Sequence, residues 1–369
     1  MKKKSSICFI MLLSIVSYSQ QTIDTTKIFG VTIDDPWTNV SDITDAFSSN
    51  CIKPTARIVF DEGQHASDYY APVTQIAPSC FIMGELLDSY YVPNYTVSQY
   101  LNRTTEYLDV FENIVDIWEI GNEVNGDWLG NTDSVVAKIE GAYNLVKIRG
   151  KKTSLTLYFN RDCFYNNPQN EMFTWINNIP TTMKQGLDYV MVSYYEDDCG
   201  NVILSQNEWQ SVFDSLHVLF PNSKLAMGEC GTTDTSKKAE YMNRYYNMNI
   251  ATPKFVGGYF WWYYKQDCVP KTKELWDTLN KISCNNILTA QVKELNLNDL
   301  ILFPNPTTGN ISIKSNCIIK NLDIYNIQGV LIKKSINQDN IFIGDNPKGI
   351  YFLQITTDTE IKKIKILLE

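Results

Sequence analysis

Between Lys27 and Asp267 the chain repeats one theme eight times: a short apolar run rich in β-branched and aromatic residues, a polar or acidic end, then a longer segment with helical spacing. The runs are KIFGVTIDD (27–35), TARIVFDEG (55–63), SCFIMGELLDS (79–89), VDIWEIGNEV (115–124), TSLTLYFNRD (153–162), DYVMVSYYEDD (188–198), KLAMGECGTT (224–233) and GGYFWWYYKQD (257–267). Strands this apolar need cover on both faces, which helices between parallel strands supply. The segments 97–114, 133–150, 207–220 and 236–249 have apolar residues at spacings of three and four, and Gly150 stands where the second should stop. Eight strand–helix units in about 250 residues is the size of a (β/α)8 TIM barrel. An open doubly wound sheet normally carries a glycine-rich turn after its first strand, and GVTIDDPW (30–37) has none.

After about Ile282 the texture changes. Residues 20–284 form the expected barrel domain, 285–298 a polar linker, and 299–369 a small β-sandwich of alternating strands separated by Gly, Pro and Asn turns. The tail resembles the C-terminal sorting domain of the type IX secretion system of Bacteroidetes-type bacteria. The resemblance rests on Pro304-Asn305-Pro306-Thr307-Thr308-Gly309, on Ile324-Tyr325-Asn326 closed by Gly329, and on Gly349-Ile350-Tyr351 before a Lys-rich last strand. It implies the type IX machinery as a partner and a secreted or cell-surface location. A carbohydrate-binding sandwich is the alternative for this tail, but it contains no Trp to serve as a sugar platform.

The first residues agree with export. MKKKSSICFIMLLSIVSYS (1–19) has lysines, a short apolar stretch and small residues before Gln20, the layout of a signal peptide. Its apolar stretch is too short to span a bilayer, and no other stretch comes closer, so no membrane span is expected. Without Cys8 an even set of eight cysteines remains for an oxidising compartment, and disulfides are expected. Neighbouring runs suggest Cys51 with Cys80, Cys163 with Cys199, and Cys230 with Cys268. With His65 and His217 the only histidines and no CxxC pair, no metal and no cofactor is expected. The net charge of −9, or −12 without Lys2, Lys3 and Lys4, offers no basic surface for nucleic acid. A chain with its own barrel core is expected to be monomeric.

In a barrel of this kind function gathers at the C-terminal ends of the strands. The fourth run ends in Gly121-Asn122-Glu123 and the seventh in Gly228-Glu229, on strands that face each other across an eight-stranded ring. Retaining glycoside hydrolysis needs two such carboxyl groups, one protonated and one ionised, about 5–5.5 Å apart. Glu123 alone reads as a polar strand end; beside Glu229 and an aromatic eighth strand it reads as catalytic. Asp34 and Asp88, ending the first and third runs, are candidates for substrate binding. Glu119 shares the strand parity of Glu123 and needs a partner if it points inward; Arg57 is the candidate.

These features resemble the clan A glycoside hydrolases, (β/α)8 enzymes with an Asn-Glu pair ending strand four and a Glu ending strand seven. WEIGNE (118–123) matches the acid/base strand, KLAMGE (224–229) the nucleophile strand, VSYY (192–195) the strand whose Tyr bonds the nucleophile, and GGYFWW (257–262) the strand whose Trp floors the sugar site. The resemblance implies Glu123 as general acid/base, Glu229 as nucleophile, Asn122 as a contact to the sugar 2-hydroxyl and Arg57 beside the nucleophile. Alternation lets one of Trp261 and Trp262, and one of Tyr194 and Tyr195, face the cleft; Trp262 and Tyr195 are chosen. Neither His matches the histidines many of these enzymes keep near the nucleophile. The expected activity is cleavage of O-glycosidic bonds in a polysaccharide or oligosaccharide, a β-glycan by expectation. The alternative is a non-catalytic glycan-binding or adhesive surface protein on the same barrel.

Overall fold

A computed structural model describes residues 27–161, 163, 167–295, 300–315, 318–336, 338–357 and 361–369. The expected signal peptide, 1–19, lies outside the described residues. The chain divides into two compact units, Met1–Ser283 and Cys284–Glu369. Among the described residues no helix is long and apolar enough to cross a membrane.

The first unit is a closed barrel of eight strands in sequence order, each parallel to its neighbour. The strands are β1 Ile28–Ile33, β2 Thr55–Val59, β3 Phe81–Glu85, β4 Ile117–Glu119, β5 Lys152–Tyr158, β6 Tyr189–Tyr194, β7 Lys224–Cys230 and β8 Phe255–Trp261. Each lies within one of the eight apolar runs or overlaps it, so the TIM barrel expected from the sequence is the fold. The four helices expected from periodicity are Val97–Phe111, Thr132–Ile148, Gln206–Leu219 and Lys238–Tyr246. Capping boxes start two of them: Thr96 with Gln99, and Ser205 with Glu208. Asn131 caps a third through the Ser134 amide at 3.1 Å.

Alternation along the strands sorts the core into two parts. Outward side chains pack under the helices; around β2, for instance, the Phe60 ring meets Tyr69, Tyr107 and Phe111 at centroid distances of 4.9, 4.3 and 5.6 Å. Inward side chains form a separate buried cluster that includes Ile28, Met83, Ile117, Tyr189, Met191 and Ala226. Two residues further along the same faces of β3, β4 and β6 stand Glu85, Glu119 and Ser193. The barrel therefore has an apolar plug below a polar layer.

One irregularity aims a side chain. Val192 pairs with Met227, but the next pair is Ser193 with Glu229, so Gly228 is an extra residue in β7. With Ala226 in the interior cluster, strict alternation would send Glu229 toward the helices. The bulge reverses that. Glycine is needed there, since a Cβ would stand 2.7 Å from Met191 Cβ and 3.1 Å from Thr156 Cγ2.

The second unit holds two antiparallel sheets. β9 Leu300–Phe303, β10 Asn310–Ser315 and β13 Asn340–Phe342 form one in the order β13-β10-β9. β11 Ile319–Asn326, β12 Leu331–Ile336, β14 Gly349–Thr357 and β15 Ile361–Leu368 form the other in the order β12-β11-β14-β15. Ile311 and Ile341 from the first meet Leu322, Leu353 and Ile366 from the second in one core, the small sandwich expected. A helix, Glu274–Leu295, runs through most of the segment read as a linker from its composition.

Gly228→Ala forces the backbones of β6 and β7 apart, and we expect it to cost about 1–3 kcal/mol. Urea unfolding of the variant against the parent measures this.

Candidate active site

Arg57 stands on β2 with no solvent exposure. Its Nε donates to Glu119 Oε2 at 2.6 Å and its Nη2 to Glu119 Oε1 at 3.1 Å, while Nη1 donates to Glu229 Oε2 at 2.6 Å. Glu85 completes the group with an Oε2 3.2 Å from Nη2, an ion-pair contact without hydrogen-bond alignment. The Thr156 hydroxyl donates to Glu119 from β5. Three buried carboxyl groups thus share one positive charge. Burial pushes Glu85 well above the usual carboxylate range, with Glu119, Asp88 and Glu229 adding to the shift and Arg57 opposing it. Burial raises Glu119 as well, against Arg57 and Thr156. The expected pairing of Glu119 with Arg57 is therefore present, and Glu85 is a member that the sequence reading missed. Its place on the inward parity of β3, opposite Glu119 in register, was the available signal.

Glu229 receives three donors. Tyr195 Oη donates to Oε1 at 2.5 Å, and Asn122 Nδ2 joins Arg57 on Oε2 at 3.2 Å. Asn122 also donates to Glu85 Oε1 at 3.0 Å. Its own carbonyl, Oδ1, is buried without a protein partner.

Glu123 is not on a strand. β4 ends at Glu119, and the chain reaches Glu123 with φ 45°, a left-handed conformation that costs a residue other than glycine about 1–3 kcal/mol. The surrounding loop is pinned. Val124 N donates to Thr156 O at 3.2 Å, Gly126 N to Glu123 O at 2.8 Å, and Asn125 bridges to both the N–H and the carbonyl of Tyr158 at 2.7 and 2.8 Å. The Ser193 hydroxyl donates to Glu123 Oε1, and the Ser89 hydroxyl to Oε2 at 3.2 Å. Burial and then the nearby Glu229 charge push this carboxyl up to about 8, with Ser193 pulling the other way.

Ser193 lies on β6 and Tyr195 just past its end, two residues on. One holds Glu123 and the other holds Glu229, so both carboxyl groups sit over one stretch of the barrel mouth. Beside Glu123 opens a cleft of about 320 Å³ lined by Trp128, Tyr158, Asn160, Tyr195 and Asp198. The rings of Trp128 and Tyr158 meet edge to face with centroids 5.5 Å apart.

The other residues singled out from sequence fall as follows. The Trp262 ring lies over the Arg57 guanidinium at 5.6 Å, while Trp261 turns away and donates to Asp267 at 2.9 Å. Tyr194 points outward, its hydroxyl 2.8 Å from Val202 O. Asp34 accepts from Gln266 at 2.5 Å and leaves its Oδ1 buried without a protein partner. Asp88 accepts from Tyr90 N at 2.8 Å; burial raises its carboxyl, and the Glu229 charge adds to the shift. His65 faces Glu106 at 3.0 Å, its side chain 76% exposed, and His217 sits in the helix Gln206–Leu219.

Cys163 and Cys199 form a disulfide, with Cα atoms 5.1 Å apart. The other two suggested pairs do not form. Cys80, Cys230 and Cys268 are free thiols buried in the core, and Cys51 is disulfide-bonded, as is Cys284. The bridge between Cys230 and Cys268 fails for a local reason, since Cys230 Sγ points behind its strand to Tyr259 O at 2.8 Å.

Comparison with known proteins identifies the tail first. Residues 301–369 match the family described as the Secretion system C-terminal sorting domain. The protein is therefore a (β/α)8 barrel exported by type IX secretion to the cell surface or beyond. No curated protein matches the chain. Solved structures similar to it include an FMN-binding beta-glucuronidase from Facaelibacterium prausnitzii L2-6, at 12% identity over 94% of this chain and 56% of that one, with TM-score 0.48. Another is Saccharomyces cerevisiae Gas2p in complex with laminaripentaose, at 14% identity over 71% of this chain and 66% of that one, with TM-score 0.46. The chain thus spans between half and two thirds of these structures, a likeness that carries no correspondence of residues.

Arg57→Met leaves three carboxyl groups buried with no counter-charge, and we expect a loss of about 3–5 kcal/mol at neutral pH. Glu85 and Glu119, already raised by burial, rise further without the guanidinium that opposes the shift, so the loss shrinks as the pH falls toward the unfolded carboxylate range near 4. Denaturant unfolding at pH 7 and pH 5 checks both the size and the direction.

Proposed function

We propose that the barrel is a retaining glycoside hydrolase acting on O-glycosidic bonds of a polysaccharide or oligosaccharide, with β-linked sugars as its substrate class. The sandwich tail serves export and takes no part in the chemistry. The observation that carries this reading is the unlike support of two neighbouring carboxyl groups. Glu123 is buried beside a second carboxylate and held up to about 8, so it keeps its proton at neutral pH. Glu229 takes three donors, from Arg57, Tyr195 and Asn122, the surroundings of an anion. Environments that set two carboxyl groups apart in this way assign the acid and the nucleophile.

In the first step a Glu229 oxygen bonds to the anomeric carbon while the bond to the leaving oxygen breaks; the electron pair stays on that oxygen, which takes the Glu123 proton. In the second, Glu123 as carboxylate removes a proton from water, the water oxygen bonds to the anomeric carbon, and Glu229 leaves with its electron pair. Tyr195 and Arg57 hold the nucleophile, and the free Asn122 carbonyl accepts from a sugar hydroxyl. Trp262 offers its ring to the sugar face. Asp34 and Asp88 accept further hydroxyls at the rim.

Release of reducing ends from a panel of plant and algal polysaccharides tests the reading. Glu229→Gln should remove turnover by several orders of magnitude while the thermal unfolding midpoint stays near that of the parent. Glu123→Gln should slow turnover by about 10²–10⁴-fold. Binding to a polysaccharide without any reducing ends would instead identify a glycan-binding protein.

Because the acid must be protonated, kcat/KM should fall as the pH rises through about 8, the value of Glu123. A profile flat to pH 10 would contradict this assignment.

A further inference from the structure

The Glu123 carboxyl rests on two hydroxyls, and one of them is itself held. Ser89 opens the short 3-10 helix Ser89–Asn94 that follows β3, and it is 5% exposed. Its oxygen accepts from Trp128 Nε1 at 3.0 Å, and its hydroxyl donates to Glu123 Oε2 at 3.2 Å. An indole N–H can only donate, so it occupies a Ser89 lone pair and leaves the hydroxyl hydrogen for the carboxyl. Trp128 is fixed in turn. It lies in the turn Asp127–Leu129, its ring edge meets Tyr158, and a Cβ on Gly126 would stand 2.5 Å from it. The same ring walls the cleft beside Glu123.

We propose that Trp128 and Ser89 are positioning residues: the indole N–H sets the Ser89 hydroxyl, which holds Glu123 and ties it to the wall of the cleft where the leaving sugar sits. The identity of that occupant rests on the glycosidase reading; the donor chain itself does not. When the proton passes to the leaving oxygen, the carboxylate that remains already faces two donors, Ser193 and Ser89. No side chain has to turn at that moment.

The groups facing Glu123 set the direction of the test. Glu229 from β7 and Asp88 from the loop after β3 raise its pKa, Arg57 from β2 lowers it, and Ser193 donates from β6. Tyr195 and Asp198 also line the cleft. A hydroxyl that donates to the charged form lowers the pKa, so its removal must raise it.

The experiment is a carboxyl ¹³C NMR titration of the full chain labelled at glutamate, with Glu123 assigned by its missing signal in Glu123→Gln. The parent should titrate near about 8. Ser89→Ala should move the midpoint up by roughly half a unit to one unit. Trp128→Phe, which keeps a ring and loses the donor, should move it the same way by less. The double variant should match Ser89→Ala alone, because Trp128 acts through Ser89. An unchanged or lowered midpoint in Ser89→Ala, or a double shift equal to the sum of the two single shifts, overturns the proposal. If Ser89→Ala does not fold, Trp128→Phe at a partly exposed site decides by the same sign. Reducing ends released undiminished by Glu123→Gln would sink the glycosidase reading while leaving this titration result in force.

Discussion

The barrel mouth depends on one buried guanidinium. Arg57 reaches from β2 to Glu119 on β4 and Glu229 on β7, with Glu85 of β3 against its edge. Taking such groups out of water costs several kcal/mol per ion, and attraction repays it only where the geometry is excellent and the remaining lone pairs are satisfied. The planar fork meets the geometric part of that condition for two partners as an ammonium could not, since one edge pairs with Glu119 in two bonds while the third nitrogen serves Glu229; Glu85 Oε2 keeps only an ion-pair contact. The excess of carboxyl groups over positive charge then has a chemical consequence. Burial raises the Glu85, Glu119 and Glu123 carboxyls alike, with Arg57 opposing the shift in each.

The two carboxyl groups at the mouth are held by different partners even though their chemistry is the same. β6 supplies the Ser193 hydroxyl to one, and Tyr195, just past its end, supplies its hydroxyl to the other. Glu123 accepts from the Ser193 and Ser89 hydroxyls, whereas Glu229 also takes the Arg57 guanidinium. The left-handed backbone at Glu123 fits the same picture, because strain of this kind persists only where surrounding bonds over-determine the chain. Here Val124, Asn125 and Gly126 supply those bonds.

Much of this was legible in the sequence. Eight apolar runs at strand length, separated by segments of helical period, left little besides a parallel barrel, and the strands fall within those runs or across them. What the runs could not give was their ends. The fourth run was read as strand through Glu123, but pairing stops at Glu119 and the chain turns. Alternation counted from Ala226 would have aimed Glu229 at the helices, and only the extra Gly228 brings it inward. Cys230 shows the same limit, because a strand neighbour in sequence says nothing of which way its sulfur points. Ser89 and Trp128 carry no periodic signal; Ser89 meets both Glu123 and Trp128 only because the loops after β3 and β4 converge.

Export constrains how such a mouth is held together. The loop after β5 carries Cys163, on the rim of the cleft beside Glu123, and the loop after β6 carries Cys199. Their disulfide closes a segment of sequence separation 36, which in the chain-entropy view is worth roughly 4 kcal/mol against the unfolded state. The bridge ties the loop after β5 to the loop after β6, beyond the ladder that pairs the two strands. It also forms only once the chain meets an oxidising compartment, the route the sorting tail prescribes. The cleft wall that flanks Glu123 is thus completed by the same journey that delivers the protein outside the cell.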